Sequence, residues 1–285
     1  MPGRYGQVHL YSAAPAAPDE RHPPLVCLHP SPTSGEMYAD LQAAMATDRA
    51  VHCPDTPGYG ASDAPRSKPG IADYGAALAE AVAALAEGTR REHTGARAGA
   101  VETAGLAKAS QVDLFGFHTG SLCAIEVALQ RPDLVRRLVL SGVPHYGDAE
   151  RRERERRSHV PGYPYFEDRD YVPRLFQRLV LDAKDSGDPA ARLRRFGDRL
   201  RAGPNGWWGP DAVFSYDSAA ALPRLRVPTL LIAFNEEMTG PTRDAARLIP
   251  GARLVEMLDL PIFGFIVAPQ RVAATIRDFL DVPRA

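Results

Sequence analysis

The chain has 285 residues, of which 45% are hydrophobic, and a formal net charge of −1 at pH 7. This length and composition allow one large buried core, or a core with a smaller inserted lobe. The balanced charge excludes the basic surface on which nucleic-acid binding depends, so we expect no nucleic-acid partner. No apolar run approaches the roughly 18 residues that a membrane-spanning helix needs, so we expect no membrane partner either.

The start of the chain and its cysteines favour a cytoplasmic location. The first twenty residues lack the positive start and the apolar run of a secretory signal. The three cysteines, Cys27, Cys53 and Cys123, all lie in apolar segments. We therefore expect them to be small buried side chains rather than disulfides.

Short apolar runs alternate along the chain with segments of helical periodicity. The pattern predicts strands at 25–29, 50–53, 111–117, 135–143, 228–234 and 252–258. It predicts helices at 36–46, 72–88, 120–130, 241–249 and 269–280. Because such alternation places helices on both faces of a mostly parallel sheet, the predicted fold class is α/β.

Residues 146–220 interrupt this rhythm, since they contain no clear strand pattern. Near their start stands the run Arg-Arg-Glu-Arg-Glu-Arg-Arg, whose mixed signs are typical of a solvated helical face. We therefore predict three parts: the first part of an α/β core over 1–145, a helical cap over 146–220, and the second part of the core over 221–285.

The sequence Gly116-Phe117-His118-Thr119-Gly120 lies between a predicted strand and a predicted helix. A strand that enters a helix through Gly-x-X-x-Gly makes a sharp, strained turn, and the turn projects its central side chain above the edge of the sheet. The small residues on either side prevent collisions. The central side chain here is the imidazole of His118.

This elbow and several further segments resemble the α/β-hydrolase family, and the resemblance covers nearly all of the chain. It implies a mostly parallel sheet flanked by helices, an inserted helical cap over the pocket, and a nucleophile elbow. The further matching segments are Leu28-His29-Pro30-Ser31, Asp55-Thr56-Pro57-Gly58-Tyr59-Gly60-Ala61-Ser62, Arg131-Pro132-Asp133-Leu134-Val135 and Pro228-Thr229-Leu230-Leu231-Ile232. The first of these is similar to the family's oxyanion loop.

The catalytic positions depart from the family's pattern. His118 stands where the nucleophile, usually Ser, Asp or Cys, is expected. The resemblance places Glu237 at the position of the triad acid, with Glu236 as the alternative, and Ile262 at the position of the triad histidine. Because no histidine follows His159, an ordinary Ser-His-Asp mechanism is excluded.

A dyad can replace the triad. Histidine reaches farther than serine, and glutamate reaches farther than aspartate. We therefore expect His118 and Glu237 to meet, the carboxylate orienting an imidazole that acts as a base. The resemblance implies an oxyanion hole formed by the backbone amides of Ser31 and Thr119, since the prolines beside Ser31 have no N–H.

Three functions fit these residues. The first is hydrolysis of an ester, lactone or thioester, with His118 as base or nucleophile. The second is proton abstraction beside a carbonyl, which gives a lyase, an isomerase or a cofactor-free reaction. The third is ligand binding without catalysis.

We expect His29, His145 and Ile262 to line the pocket of a small-molecule substrate. The histidines lack the close spacing of a helix-borne metal motif, so no metal is expected. No Gly-x-Gly-x-x-Gly or phosphate-loop sequence is present, so no cofactor is expected. The sequence is compatible with a homodimer as well as with a monomer.

Overall fold

The computed structural model describes residues 1–16, 22–94, 111–158, 168–183 and 187–282. Two short strands at the start, β1 (Pro2–Gly3) and β2 (Gly6–Gln7), form an antiparallel pair. The main sheet has the order β3-β5-β4-β6-β7-β8-β9. Its strands are β3 (Leu10–Ala13), β4 (Leu25–Leu28), β5 (Val51–Pro54), β6 (Val112–Phe117), β7 (Val135–Ser141), β8 (Thr229–Asn235) and β9 (Arg253–Pro261). Only the edge strand β3 pairs antiparallel within this sheet.

Helices cover both faces of the sheet. The helices outside the long connection from β7 to β8 are α1 (Ala39–Met45), α2 (Ile71–Thr94), α3 (Thr119–Gln130), α9 (Thr239–Leu248), α10 (Gly264–Val267) and α11 (Pro269–Leu280). These helices pack on the sheet through two buried apolar clusters, one on each face. One cluster contains residues of α2, α3 and α9, and the other contains residues of α1, α10 and α11. In β4, Val26 lies in the first cluster and Cys27 in the second, because successive side chains of a strand face opposite sides.

The connection from β7 to β8 is helical. Its helices are α4 (Asp148–Ser158), α5 (Tyr171–Phe176), α6 (Pro189–Arg201), α7 (Trp208–Ser215) and α8 (Ser218–Ala221), which we call the helical insert. Among the described residues of this connection, which omit 159–167 and 184–186, there is no strand. A helical lobe at this place agrees with the interruption in the sequence pattern.

The α/β fold predicted from the sequence is confirmed. Each predicted strand and helix has a counterpart, although α1 begins three residues later than expected, after a 3-10 turn over Gly35–Tyr38. The three cysteines are free and buried. In the part of the chain that is described, no helix combines the length and apolar character needed to cross a membrane.

Sheet topology determines where a site can form. The carboxyl ends of parallel strands share one edge of a sheet. Strand β4 leads to β5 on one side, and the chain then returns to β6 on the other side of β4. Open α/β sheets bind ligands outside the carboxyl ends of the strands at such a switch point. The loops after β4, β6, β7 and β8 therefore converge on this edge.

Candidate active site

The predicted elbow is present between β6 and α3. His118 has φ 49° and ψ −120°, and it is the only residue other than glycine with positive φ among those described. A Cβ on Gly116 would stand 2.5 Å from the Gly120 carbonyl oxygen, and one on Gly120 would overlap the Leu28 carbonyl. The two glycines are therefore required for the bend. A backbone conformation of this kind costs about 1–3 kcal/mol, which the surrounding packing must offset.

The imidazole of His118 contacts a buried carboxylate, that of Glu236. His118 Nε2 lies 2.7 Å from Glu236 Oε2, and the two side chains are 21% and 2% exposed. Because an ionised carboxylate only accepts hydrogen bonds, Nε2 carries the hydrogen and donates it. In the neutral ring Nδ1 is then left as the acceptor.

Glu237, which we expected to be the partner, does not contact His118. Its side chain is 64% exposed, and Oε2 lies 3.5 Å from Nη1 of Arg154. The β8–β9 register shifts between Phe234 and Asn235, and the chain then turns towards α9. This prediction was wrong by one residue, and the alternative, Glu236, faces the elbow.

Thr239 shapes the turn that carries Glu236. Its hydroxyl oxygen lies 3.1 Å from the Glu236 N–H, which donates to it. The same hydroxyl lies 2.6 Å from the Phe234 carbonyl oxygen, to which it donates. These contacts hold the chain in a tight turn directly after β8, with the Glu236 side chain directed inwards. A threonine three residues after an acid is a visible turn signal, and our reading of the sequence did not use it.

The His118–Glu236 pair is closely packed on two sides. Phe117 stacks on the imidazole, with ring centroids 4.0 Å apart and planes inclined by 24°. On another side is Gly142, which has φ 57°; a Cβ there would overlap Cδ2 of His118 and stand 2.7 Å from Nε2 and 2.9 Å from Glu236 Oε1. Nothing in the sequence around Gly142 marks this close approach.

An aromatic residue follows the expected position of the triad histidine. Ile262 is half-buried and packs against the cluster that contains Phe117, together with Phe263. The Phe263 ring stands 5.9 Å from that of Phe117. The place of Ile262 in a substrate pocket stays a prediction, whereas Phe263 is a neighbour that the sequence analysis missed.

Two backbone amides lie beside the elbow. Leu28 pairs with Gly116 in the sheet, so the loop after β4 runs next to the start of α3. Among the hydrogen bonds of the described residues, neither the Ser31 nor the Thr119 N–H has an acceptor. Both are the donors that the sequence analysis assigned to an oxyanion hole.

His29 does not line a pocket, contrary to our expectation. It is 1% exposed, its Nδ1–H donates to the Pro30 carbonyl at 2.8 Å, and its Nε2 accepts from the Thr56 N–H at 2.8 Å. Burial lowers the pKa of His29, and the hydrogen bond that Nε2 accepts from Thr56 requires the neutral ring. The ring joins the loops after β4 and β5. A position at the end of a strand did not reveal which way the ring turns.

His145 lies farther along the same edge, after β7. It is half-buried, with Nδ1 2.9 Å from the hydroxyl of Ser218, and burial lowers its pKa. Its role in a substrate pocket stays a prediction. Among the described residues, no group of three or more His, Cys, Asp or Glu side chains is arranged to hold a metal ion.

The helical insert docks on the loops around the elbow. Ser34 donates its hydroxyl hydrogen to Asp198 Oδ2 of α6 at 2.6 Å, and both side chains are buried. The Gly209 N–H donates to the hydroxyl of Tyr59 at 2.6 Å. Neither contact could be anticipated, because each joins residues more than 140 positions apart.

Comparisons with known proteins agree with this architecture. The model of the Alpha/beta hydrolase family matches residues 25–274. No curated protein matches the chain in sequence. Among solved structures, it is similar to an enol-lactonase from Burkholderia xenovorans LB400, with 19% identity, a TM-score of 0.72 and coverage of 96% of both chains.

Two further structures are similar over nearly their full length. An esterase from Exiguobacterium antarcticum has 17% identity and a TM-score of 0.74, over 99% of this chain and 98% of that one. MenH from S. aureus has 16% identity and a TM-score of 0.71, over 95% of this chain and 97% of that one. At these identities the likeness shows a common fold.

Proposed function

Because this chain belongs to the α/β-hydrolase family, whose model spans residues 25–274, we propose that it hydrolyses a small molecule at an ester, lactone or thioester carbonyl. His118 is the general base of this reaction and Glu236 is the residue that orients it. The observation that carries the proposal is the 2.7 Å contact between His118 Nε2 and Glu236 Oε2 at the strained elbow.

The contact with Glu236 makes Nδ1 of His118 the atom that accepts a proton. Nε2–H is held by the carboxylate, so the lone pair of the neutral ring is on Nδ1. When Nδ1 takes a proton, the ring becomes a cation beside an anion that is 2% exposed. The low local dielectric strengthens that attraction. A base positioned in this way contributes roughly 10²–10⁴-fold to a rate.

The proposed reaction has two steps. Nδ1 of His118 removes a proton from water while the oxygen of that water adds to the carbonyl carbon. The resulting oxyanion accepts hydrogen bonds from the amides of Ser31 and Thr119, each worth about 3–4 kcal/mol in comparable sites. The tetrahedral species then releases its alkoxide or thiolate, which takes the proton back from Nδ1–H. The products are a carboxylic acid and an alcohol or thiol.

The printed names of the structural neighbours support the choice of bond. They include an enol-lactonase and several esterases. Esters and lactones are therefore the first substrates to test. The same base and amides could also remove a proton beside a carbonyl, so β-keto compounds belong in the same panel.

The proposal is tested with p-nitrophenyl esters, lactones and β-keto substrates on the wild type and on His118→Ala. We expect ester or lactone turnover in the wild type and a loss of roughly 10²–10⁴-fold in the variant. The matched control is His52→Ala, a half-buried histidine of β5 whose ring contacts the hydroxyl of Ser12 outside the candidate site, and it should retain most of the activity.

Other results would contradict the proposal. Equal rates in the wild type and His118→Ala would exclude a role for the imidazole. Turnover of β-keto compounds alone would replace hydrolysis by proton abstraction, and saturable binding without turnover would indicate a ligand-binding protein. A burst of alcohol before the steady state would show an acyl group on His118, and would replace the general base by a nucleophile.

A further inference from the structure

The hydroxyl of Tyr59 joins the helical insert to the loop after β5. The residue is 2% exposed, so this hydroxyl lies inside the protein. Its oxygen accepts the N–H of Gly209 at 2.6 Å, and its hydrogen is donated to the carbonyl oxygen of Gly206 at 3.3 Å. Both partners lie at the start of α7. A single buried hydroxyl therefore ties the start of α7 to the loop that carries Tyr59.

The start of α7 also packs against the proposed oxyanion loop. A Cβ on Gly209 would overlap Oγ of Ser31, and it would stand 2.6 Å both from Ser31 Cβ and from the Tyr59 hydroxyl oxygen. The three residues therefore meet at one point, and only glycine lets α7 come this close. Burial raises the pKa of Tyr59 to about 12, while the Gly209 N–H and the hydroxyls of Ser31 and Tyr74 act against the rise. The Ser31 side chain thus lies beside the Tyr59 hydroxyl.

The loop that carries Ser31 is held from two sides. Within the loop, the Pro30 carbonyl oxygen accepts the N–H of Thr33 at 3.2 Å and its hydroxyl at 2.6 Å, which closes a turn around Ser31. From outside the loop, Tyr59 and Gly209 contact Ser31 itself. A donor stabilises an oxyanion only if it already points at the place where the charge develops. In such a site a displacement of about 1 Å can lower a rate roughly 100-fold.

We infer that Tyr59 and Gly209 are positioning residues, which direct the Ser31 N–H at the developing oxyanion, so that the oxyanion hole is complete only while the start of α7 is seated on Ser31. This inference rests on the proposed function for the role of the Ser31 amide. Tyr59 and Gly209 are both buried, so they act through Ser31 rather than on the substrate. The helical insert thereby contributes to transition-state stabilisation through the loop after β4.

Removal of the Tyr59 hydroxyl tests the first contact. With p-nitrophenyl butyrate, Tyr59→Phe should lower kcat roughly 10- to 100-fold and change KM by less than about threefold, because the oxyanion forms only after the substrate has bound. Tyr216→Phe is the matched control. The Tyr216 hydroxyl also joins the insert to the sheet's helices, donating to Oε1 of Glu126 on α3 at 2.6 Å, but it lies at the opposite end of α7 from Gly209. The kcat of this variant should stay within about twofold of the wild-type value.

Gly209→Ala tests the second contact, and it keeps the inference testable if Tyr59→Phe does not fold. The added methyl group meets Ser31 Cβ, which is fixed to the loop backbone, so the loop and the helix must move apart. The kcat should again fall roughly 10- to 100-fold. Gly197→Ala is the control, since Gly197 lies in α6 of the same insert and nothing stands within 4 Å of the place of its Cβ. Wild-type kcat in either folded variant, Tyr59→Phe or Gly209→Ala, would overturn the inference, as would an equal loss in Tyr216→Phe.

Binding of a stable anion distinguishes failure of this inference from failure of the proposed function. The probe is mono-p-nitrophenyl propylphosphonate, whose tetrahedral anion carries the propyl chain and the leaving group of p-nitrophenyl butyrate. Titration calorimetry should show that Tyr59→Phe binds it roughly 10- to 100-fold more weakly than the wild type and Tyr216→Phe do, in proportion to the loss of kcat. If no ester is hydrolysed but phosphonate binding depends on Tyr59, the proposed function fails and this inference stands. If hydrolysis depends on His118 but the phosphonate binds equally to the wild type and Tyr59→Phe, or binds to neither, the opposite holds.

Discussion

Gly142 is the position at which one methyl group should separate the proposed base from its carboxylate. A Cβ there would overlap Cδ2 of His118 and would stand 2.7 Å from Nε2 and 2.9 Å from Glu236 Oε1. These distances are far below the ordinary contact of about 3.5–4.0 Å between heavy atoms. Because the Cβ is fixed to the backbone, the imidazole must move. We therefore predict that Gly142→Ala breaks the contact between Nε2 and Oε2.

The magnitude follows from two contributions. Gly142 has φ 57°, and placing an L-residue in that left-handed region costs about 1–2 kcal/mol. Loss of a hydrogen bond to a charged group costs about 1.5–3 kcal/mol more. Together they lower the free energy of unfolding by about 2.5–5 kcal/mol. Glu236 would also be left buried without its partner, so the variant should lie towards the upper end of this range.

Gly251 provides the matched control. It has φ 68°, and nothing lies within 4 Å of the place of its Cβ, so Gly251→Ala carries the backbone cost without the collision. Urea denaturation and ester hydrolysis are measured on both variants. Gly251→Ala should lose about 1–2 kcal/mol and keep its activity. Gly142→Ala should lose more stability and hydrolyse as slowly as His118→Ala. Wild-type activity in a folded Gly142→Ala would refute the reasoning.

Three further predictions concern single residues. Glu236→Gln should lower kcat by roughly 10²–10⁴-fold, because the His118 ring loses the anion that stabilises its cation. Steady-state kinetics should show that kcat of Glu237→Gln stays within about twofold of the wild-type value. Burial lowers the pKa of His29 in the folded protein. Below about pH 6.5 the unfolded chain therefore binds more protons than the folded chain, and the free energy of unfolding decreases as the pH decreases. His29→Gln should therefore show a shallower loss of unfolding free energy between pH 7 and pH 5, by up to about 1.4 kcal/mol per pH unit in urea titrations; an unchanged slope would contradict this. Asp198→Ala removes the contact with Ser34 and should lower the free energy of unfolding by about 1.5–3 kcal/mol. Amide hydrogen exchange in α6 should become faster, and unchanged exchange in that helix would show that the contact does not hold the insert.

Much of the fold could be predicted because its signals are local. Buried parallel strands appear as short apolar runs, and those around 25–28, 112–117 and 229–235 were found in this way. The elbow was equally visible, since a Cβ at Gly116 would clash with the backbone of Gly120 and Ser121, only four and five positions later. Such constraints act within a few residues, so sequence spacing alone expresses them.

The site was predicted less completely because its details depend on long-range geometry. The choice between Glu236 and Glu237 is decided by a register shift against β9 and by the Thr239 turn, and a one-residue error exchanges a buried carboxylate for an exposed one. His29 was assigned to the pocket from its strand end. Its ring turns instead towards the Thr56 amide, 27 positions away.

The most direct test of the proposed dyad is the tautomer of His118, measured by nitrogen-15 NMR of the labelled ring in the wild type and in Glu236→Gln. We predict that the neutral ring of the wild type carries its hydrogen on Nε2, with a slowly exchanging proton, and that Nδ1 is unprotonated. A hydrogen on Nδ1 in the neutral ring would contradict the proposal, because no base would then face the substrate.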